Sequence, residues 1–192
     1  KPDLVIATTI TKPETIETLR KIGIKVITFP TTKSYEDVCH NFKQIAAFTD
    51  KTVIAEAIIK KQNQRLDSIR KSIPNGPQPK VFFQIGTKPI FTVMPNTFMD
   101  DFITFSGGVN VASDLTRGTI TRESVLLRNP DVIIIITMGI LGDEERNNWL
   151  ACKQLNATKN NKIFFIDSNK ACSPSPVTFI DVVEEIIKLI YN

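Results

Sequence analysis

KPDLVIA at residues 1–7 and NPDVIII at residues 129–135 are one phrase written twice: a polar residue, Pro-Asp, then branched apolar side chains. Leu4-Val5-Ile6-Ala7 is a continuous apolar run, and Asp131 to Thr137 is the most apolar strand-like segment of the chain. Unbroken apolar runs of this length mark strands buried on both faces, as in a parallel sheet covered by helices. Two such strands, far apart in sequence, point to two α/β bodies.

The segments around them fit that plan. Pro13 suits the first turn of a helix over 14–21 that stops at Gly23, and Lys25 to Phe29 makes a second strand. Ser34, followed by Glu36 and Asp37, opens a helix running to about Phe48, so the first fifty residues read strand–helix–strand–helix. Residues 50–73 hold no Gly or Pro and predict one helix of roughly 36 Å. Its middle, KKQNQR at 60–65, is polar on every face, with Val53, Ile54, Ala57 and Ile58 before it and Leu66, Ile69 and Ile73 after. Such a helix suits bridging two packed bodies, and a surface helix with a very polar turn is the other reading.

PNGPQP at 74–79 is the clearest linker. Beyond it the pattern restarts: strand 81–85, helix 97–105 stopped by Gly107-Gly108, helix 122–128, strand 131–137, helix 144–155, strand 162–167 and a last helix 177–190. The expected fold class is α/β, with two Rossmann-like lobes joined by one long bridging helix and the first lobe incomplete. The expected division is 1–49, the remainder of the N-terminal lobe; 50–73, the bridging helix; 74–79, the linker; and 80–192, the C-terminal lobe.

Composition removes several function classes. The 192 residues are 42% hydrophobic, 23% charged and 8% aromatic, with net charge +4. The basic residues are interleaved with Asp, Glu and Asn instead of forming a stripe, so no nucleic-acid partner is expected. The longest apolar run, Val132 to Ile136, falls far short of the ~20 residues of a membrane-spanning helix. No signal peptide or lipid-anchor motif is legible in the chain. Three cysteines without CxxC spacing and a single histidine, His40, give no metal site. GxGxxG, P-loop and GxSxG motifs are missing from the sequence. The acidic clusters Asp100-Asp101 and Asp143-Glu144-Glu145 fall at helix starts, where solvated carboxylates belong. A binding protein is therefore expected, not an enzyme.

The order of these pieces resembles the substrate-binding proteins of ABC importers for vitamin B12, ferric siderophores and haem. The resemblance is carried by KPDLVIA at 1–7, KIGIKVITF at 21–29 and FFQIGTKPIFTVMPNTFMDDFITFSGGVNVASD at 82–114. TRESVLLRNPDVIII at 121–135 and FFIDSNKACSPSP at 164–176 complete it. It implies a metal chelate, corrinoid or Fe(III) complex, held between two lobes joined by a stiff helix and handed to a membrane permease. It further implies a periplasmic or extracytoplasmic location, membrane contact only through the permease or a lipid anchor, and no cofactor beyond the ligand. Each lobe of that family has an acidic residue a few positions before its Pro-Asp phrase. Here that residue is Glu123, and the resemblance implies that it docks onto permease arginines, where carboxylate–guanidinium pairing is bidentate and directional. A Glu in a first turn after a Thr121 cap is also what any helix start prefers. The counterpart of Glu123 would lie upstream of Lys1, so the resemblance implies a fragment lacking roughly the first quarter of the usual protein.

Ligand contacts are expected at loops leaving the C-terminal ends of strands. Thr8, Thr9, Lys88, Phe91, Met94, Met138, Arg146 and Trp149 are the candidates. Phe91, Met94 and Trp149 offer apolar faces to a flat macrocycle, and Lys88 and Arg146 offer charge to acidic groups. Each aromatic also reads as core, Phe98 above all, and Phe91 after Lys88-Pro89 is the better cleft candidate. The chain has only Tyr35 and Tyr191 as tyrosines, a mostly neutral GTKPIFTV loop at 86–93, and SPSP without an arginine at 173–176. That set favours a corrinoid such as cobalamin slightly over an iron-siderophore. Cys152 and Cys172 fall at the same end of their elements and form a possible disulfide, or remain two separate thiols. The rival readings are a chelatase-like enzyme of related two-lobe architecture, for which His40 is a poor proton acceptor, and a ligand-free interaction module.

Overall fold

The computed structural model describes residues 2–137 and 142–191. By internal contacts the chain divides into two compact units, Lys1–Lys33 and Ser34–Asn192.

The first unit holds β1 (Leu4–Thr8), α1 (Pro13–Lys21) and β2 (Lys25–Phe29). β1 and β2 pair in parallel, Val5 opposite Val26 and Ala7 opposite Thr28. Ala7, Ile24 and Val26 are buried, with half-buried Val5, Ile16 and Leu19 packed against them, which puts one sheet face under α1. Ile6, on the alternate face, is 48% exposed.

The second unit begins with α2 (Tyr35–Phe48), capped by Ser34 Oγ, which accepts the Asp37 amide at 3.2 Å. After it come α3 (Thr52–Lys71), β3 (Lys80–Thr87), β4 (Ile90–Thr92), α4 (Phe98–Phe105), β5 (Val109–Asn110) and α5 (Arg122–Arg128). The rest is β6 (Val132–Thr137), α6 (Gly142–Leu150), α7 (Asn156–Lys159), β7 (Ile163–Asp167), α8 (Ser168–Cys172) and α9 (Pro176–Tyr191). The sheet runs β4–β3–β6–β7, parallel except for antiparallel β4, with β5 beside the start of β3.

The apolar strands do what their composition requires. Val81, Phe83, Val132, Ile134, Ile136 and Ile166 face a core built with α2, α3, α4 and α9. Phe82, Ile133, Ile135 and Ile163 face the opposite core, under Val125 of α5, Trp149 of α6 and Ala157 of α7. The sheet is thus sandwiched between helices.

The repeated phrase has a mechanical role in this unit. Asn129 adopts the left-handed conformation (φ 45°) that ends α5, and its amide bonds back to the Val125 and Leu126 carbonyls. Asp131 then holds the neighbouring chain, accepting the Lys80 amide at 2.9 Å and the Asn156 side chain at 2.9 Å.

Two expectations change. The helix over 35–48, assigned from the sequence to residues 1–49, makes its contacts in the second unit. The Tyr35 ring lies 4.7 Å from that of Phe179, and the Tyr35 amide donates to Asp101 at 2.7 Å. The polar middle of α3 is not solvated on every face: Gln62 is buried, in one stripe with Ala55, Ile59 and Leu66. Gln62 is buried in that stripe, and exposed Asn63 beside it accepts the Tyr35 hydroxyl through Oδ1 at 3.1 Å. Val53 and Ile54 lie exposed away from that stripe. Arg65 of α3 donates to Asp181 at 2.6 Å and to Glu184, fixing α3 on α9.

Two measurements check this packing. Phe179 is fully buried against Tyr35, Phe102 and Phe105. Phe179→Ala is expected to lower unfolding stability by about 3–5 kcal/mol in urea titration. The Arg65 guanidinium, and after it Lys188, hold the Glu184 carboxyl below its ordinary value of 4.5. A depressed folded-state value gives stability that is present at neutral pH and lost as pH falls below that ordinary value. Arg65→Met should therefore flatten the acid limb of stability against pH, by no more than about 1 kcal/mol at this exposure.

Candidate functional site

In parallel α/β layers the C-terminal strand ends are where loops are free to hold a ligand. In the first unit these are the ends of β1 and β2. Thr8 accepts the Thr11 amide at 2.9 Å in a tight turn, and the Thr9 and Thr31 hydroxyls meet at 2.9 Å. Thr8 and Thr9 are both exposed there.

In the second unit the corresponding feature is the β3–β4 hairpin. A register shift between Gln84 and Gly86 bends it. Gly86 lies against the Phe91 ring, and a Cβ added at Gly86 would meet that ring at 3.1 Å. Phe91 is 42% exposed on β4, and Lys88, at the turn, is exposed and 3.8 Å from Glu144. Met94 is half-buried just beyond β4. The outer edge of β4 is laced by the chain leading into α5: the Thr92 amide donates to the Gly118 carbonyl at 2.8 Å, and the Ile120 amide to the Ile90 carbonyl at 3.1 Å. Pro89, Leu115, Ile120, Thr121 and Ser124 border an open groove of 340 Å³ between the hairpin turn and α5.

Beneath the hairpin lies a polar cluster. Gln84 follows Phe82 on the same face of β3 and is fully buried. Its Nε2 donates to the Gly86 carbonyl and to Glu145 Oε1, each at 2.9 Å, while its Oε1 accepts the Trp149 indole N–H at 2.8 Å. Glu145, on α6, is only 4% exposed and takes a charge-assisted bond from Arg122 at 2.8 Å. The Arg122 guanidinium also lies over the Trp149 ring, 4.1 Å from its centroid.

Glu123 follows Arg122 and points the other way, fully exposed in the first turn of α5. Thr121 Oγ1 caps that turn, accepting the Ser124 amide at 3.2 Å. The Glu123 carboxyl is held below the usual range by its own backbone amide first, then by the Thr121 hydroxyl and the Arg122 charge. It is a fixed surface anion.

The sequence candidates thus separate. Phe91, Lys88 and Met94 share one strand-end feature, and Thr8 and Thr9 share another in the first unit. Met138 lies outside the described residues. Trp149 is not a ligand face: it is fully buried, edge-on to Phe82, because its indole N–H serves Gln84. Arg146 is half-buried with its guanidinium 5.9 Å from the Phe165 ring. Cys152 and Cys172 are free thiols. Cys152 packs against the core with Trp149, whereas Cys172 is exposed. Phe98 packs edge-on against Phe102, as core. Gln84, Arg122 and Glu145 were missed, although a glutamine inside the apolar run VFFQI is a legible signal that something polar is buried beside it. Among the described residues no three His, Cys, Asp or Glu cluster as metal ligands, and no helix is long and apolar enough to cross a membrane.

A family model described as periplasmic binding protein matches residues 1–170. The chain belongs to the periplasmic binding protein family. Among its relatives, the vitamin B12-binding protein of Vibrio parahaemolyticus is 25% identical over 187 residues, 96% of this chain and 67% of that protein. Among solved structures, a possible iron-binding periplasmic solute-binding protein of Staphylococcus epidermidis is 25% identical with TM-score 0.85, covering 100% of this chain and 77% of that one. A periplasmic heme-binding protein of Vibrio cholerae, 21% identical with TM-score 0.86, covers 100% of this chain and 77% of its own and shares the fold. The α/β architecture is thus that of periplasmic binding proteins of the B12, haem and siderophore type.

Burial of Trp149 has a direct consequence. Acrylamide should quench its emission little in the folded protein and strongly after denaturation, whereas an indole lining an open cleft would be quenched in both states.

Proposed function

We propose that this periplasmic binding protein is the solute-binding component of an ABC importer, carrying a metal chelate outside the cytoplasm and passing it to a membrane permease. The observation that supports this most directly is the β3–β4 hairpin, whose exposed groups include an aromatic face, Phe91, and a cation, Lys88, that is paired with Glu144. An apolar plate with one charged neighbour suits a large flat ligand with peripheral acids or amides, and gives little purchase for chemistry. His40, the one histidine, is exposed on α2 and hydrogen-bonded to Gln44 at 2.7 Å, which speaks against a chelatase-like enzyme.

Within that class we favour a corrinoid over a ferric siderophore. The hairpin turn carries one cation, Lys88, and that cation already faces Glu144. The ligand brings its own metal, and the protein supplies shape and surface. Glu123 is the docking contact for the permease, exposed and ionised at the head of α5.

Titrating the chain with cyanocobalamin, haemin and ferric ferrichrome by calorimetry tests the reading. Cyanocobalamin is expected to bind saturably, and Phe91→Ala to weaken it about tenfold, the loss of about 1.4 kcal/mol for an aromatic contact. Glu123→Lys should leave that affinity unchanged and abolish chelate uptake through the permease. Binding of none of the three chelates would overturn the proposal. Saturable binding of haemin or ferrichrome alone would retain the receptor and replace the ligand.

A further inference from the structure

The hairpin and α5 meet in two places. One is backbone: residues 118–120 pair with β4 and run straight into the Thr121 cap. The other is the buried polar cluster, in which Glu145 on α6 accepts from both Gln84 on β3 and Arg122 Nη2 on α5, while Arg122 Nη1 is buried without a hydrogen-bond partner. We infer that Arg122 is a positioning residue that clamps the β3–β4 hairpin and the first turn of α5 into one body, so that occupancy at Phe91 and docking at Glu123 act on each other. The meaning of the two ends rests on the receptor reading above.

The physical case is that no member of the cluster can move alone. Glu145 is a buried carboxylate whose cation is Arg122, and removing one partner of such a pair leaves an uncompensated charge. Gln84 spends its carboxamide on three groups, Gly86, Glu145 and Trp149, so a shift of the hairpin at Gly86 is felt at once by Glu145. Arg122 holds Glu145 on one side and covers the Trp149 ring on the other. A lysine supplies the charge without the planar fork, and is not equivalent. Arg122 bonds to buried Glu145 and Glu123 is exposed at the next position, so the two share one stretch of helix backbone. In energetic terms, any ligand that favours the bonded arrangement at one end of the cluster favours it at the other.

Amide hydrogen exchange on the full chain tests this without a chelate. Arg122→Met is expected to speed exchange roughly tenfold or more, as loss of a buried partner does, both at Val125 in α5 and at Thr92, Val93 and Ile120 around the hairpin. Gln84→Leu, made at the other end, should speed Val125 as well. The double variant should go no further than the larger single effect, since both remove one link. Arg122→Lys should restore part of the hairpin protection, and Trp149 emission should shift in Arg122→Met but much less in Arg122→Lys. If Arg122→Met does not melt cooperatively, Gln84→Leu alone reads the link from β3. Faster exchange confined to α5 in Arg122→Met, or an unchanged Val125 in Gln84→Leu, would overturn the inference and leave the receptor reading intact. Failure of every chelate to bind would overturn the receptor reading and leave the clamp standing.

Discussion

The second unit depends on one constraint: Val132 to Ile136 of β6 have no solvent side. Val132 to Ile136 are each at most 4% exposed, so every side chain of the strand must find a helix above or below the sheet. That requirement fixes alternation along β3 and β7 in the same register, places α9 on one face and α5, α6 and α7 on the other, and forces the loops to the strand ends. The Asn-Pro-Asp phrase before β6 serves the same constraint. It ends α5 with a left-handed asparagine, stops the helix with proline, and ties the start of β3 with aspartate, so the most buried strand begins at a set position.

Elements with strong periodicity were legible from sequence. α5, β2 and α9 fall where glycine stops, caps and apolar spacing put them, because those signals act within a few residues. β4 was not legible: three residues give no period, and their strand character comes from pairing with β3 and with residues 118–120. The assignment of α2 failed for a related reason. Its sequence says amphipathic helix, but whether its apolar face finds β2 or α9 is decided by Tyr35 meeting Phe179, a contact between residues far apart in the chain. α3 misled because a buried glutamine looks the same in sequence as an exposed one.

The site shows the same division. An exposed aromatic after a turn, Phe91, was readable because turns keep their side chains near solvent. Trp149 was not, because its fate depends on Gln84, a polar residue whose burial makes sense only with Glu145 and Arg122 beside it. Local rules place residues on elements. They do not say which polar groups will satisfy each other inside.

That buried cluster is a costly way to build a core, since apolar side chains of similar volume would fill the space without desolvating charge. Its position explains the expense better than stability does. The cluster sits at the strand ends, under the hairpin and behind the first turn of α5, where an apolar core would let either element slide. Directional bonds from Arg122, Glu145 and Gln84 specify one pose for both. On the receptor reading proposed above, presenting a ligand surface and an anionic surface point at a fixed offset needs that geometry more than it needs the last few kilocalories of hydrophobic packing.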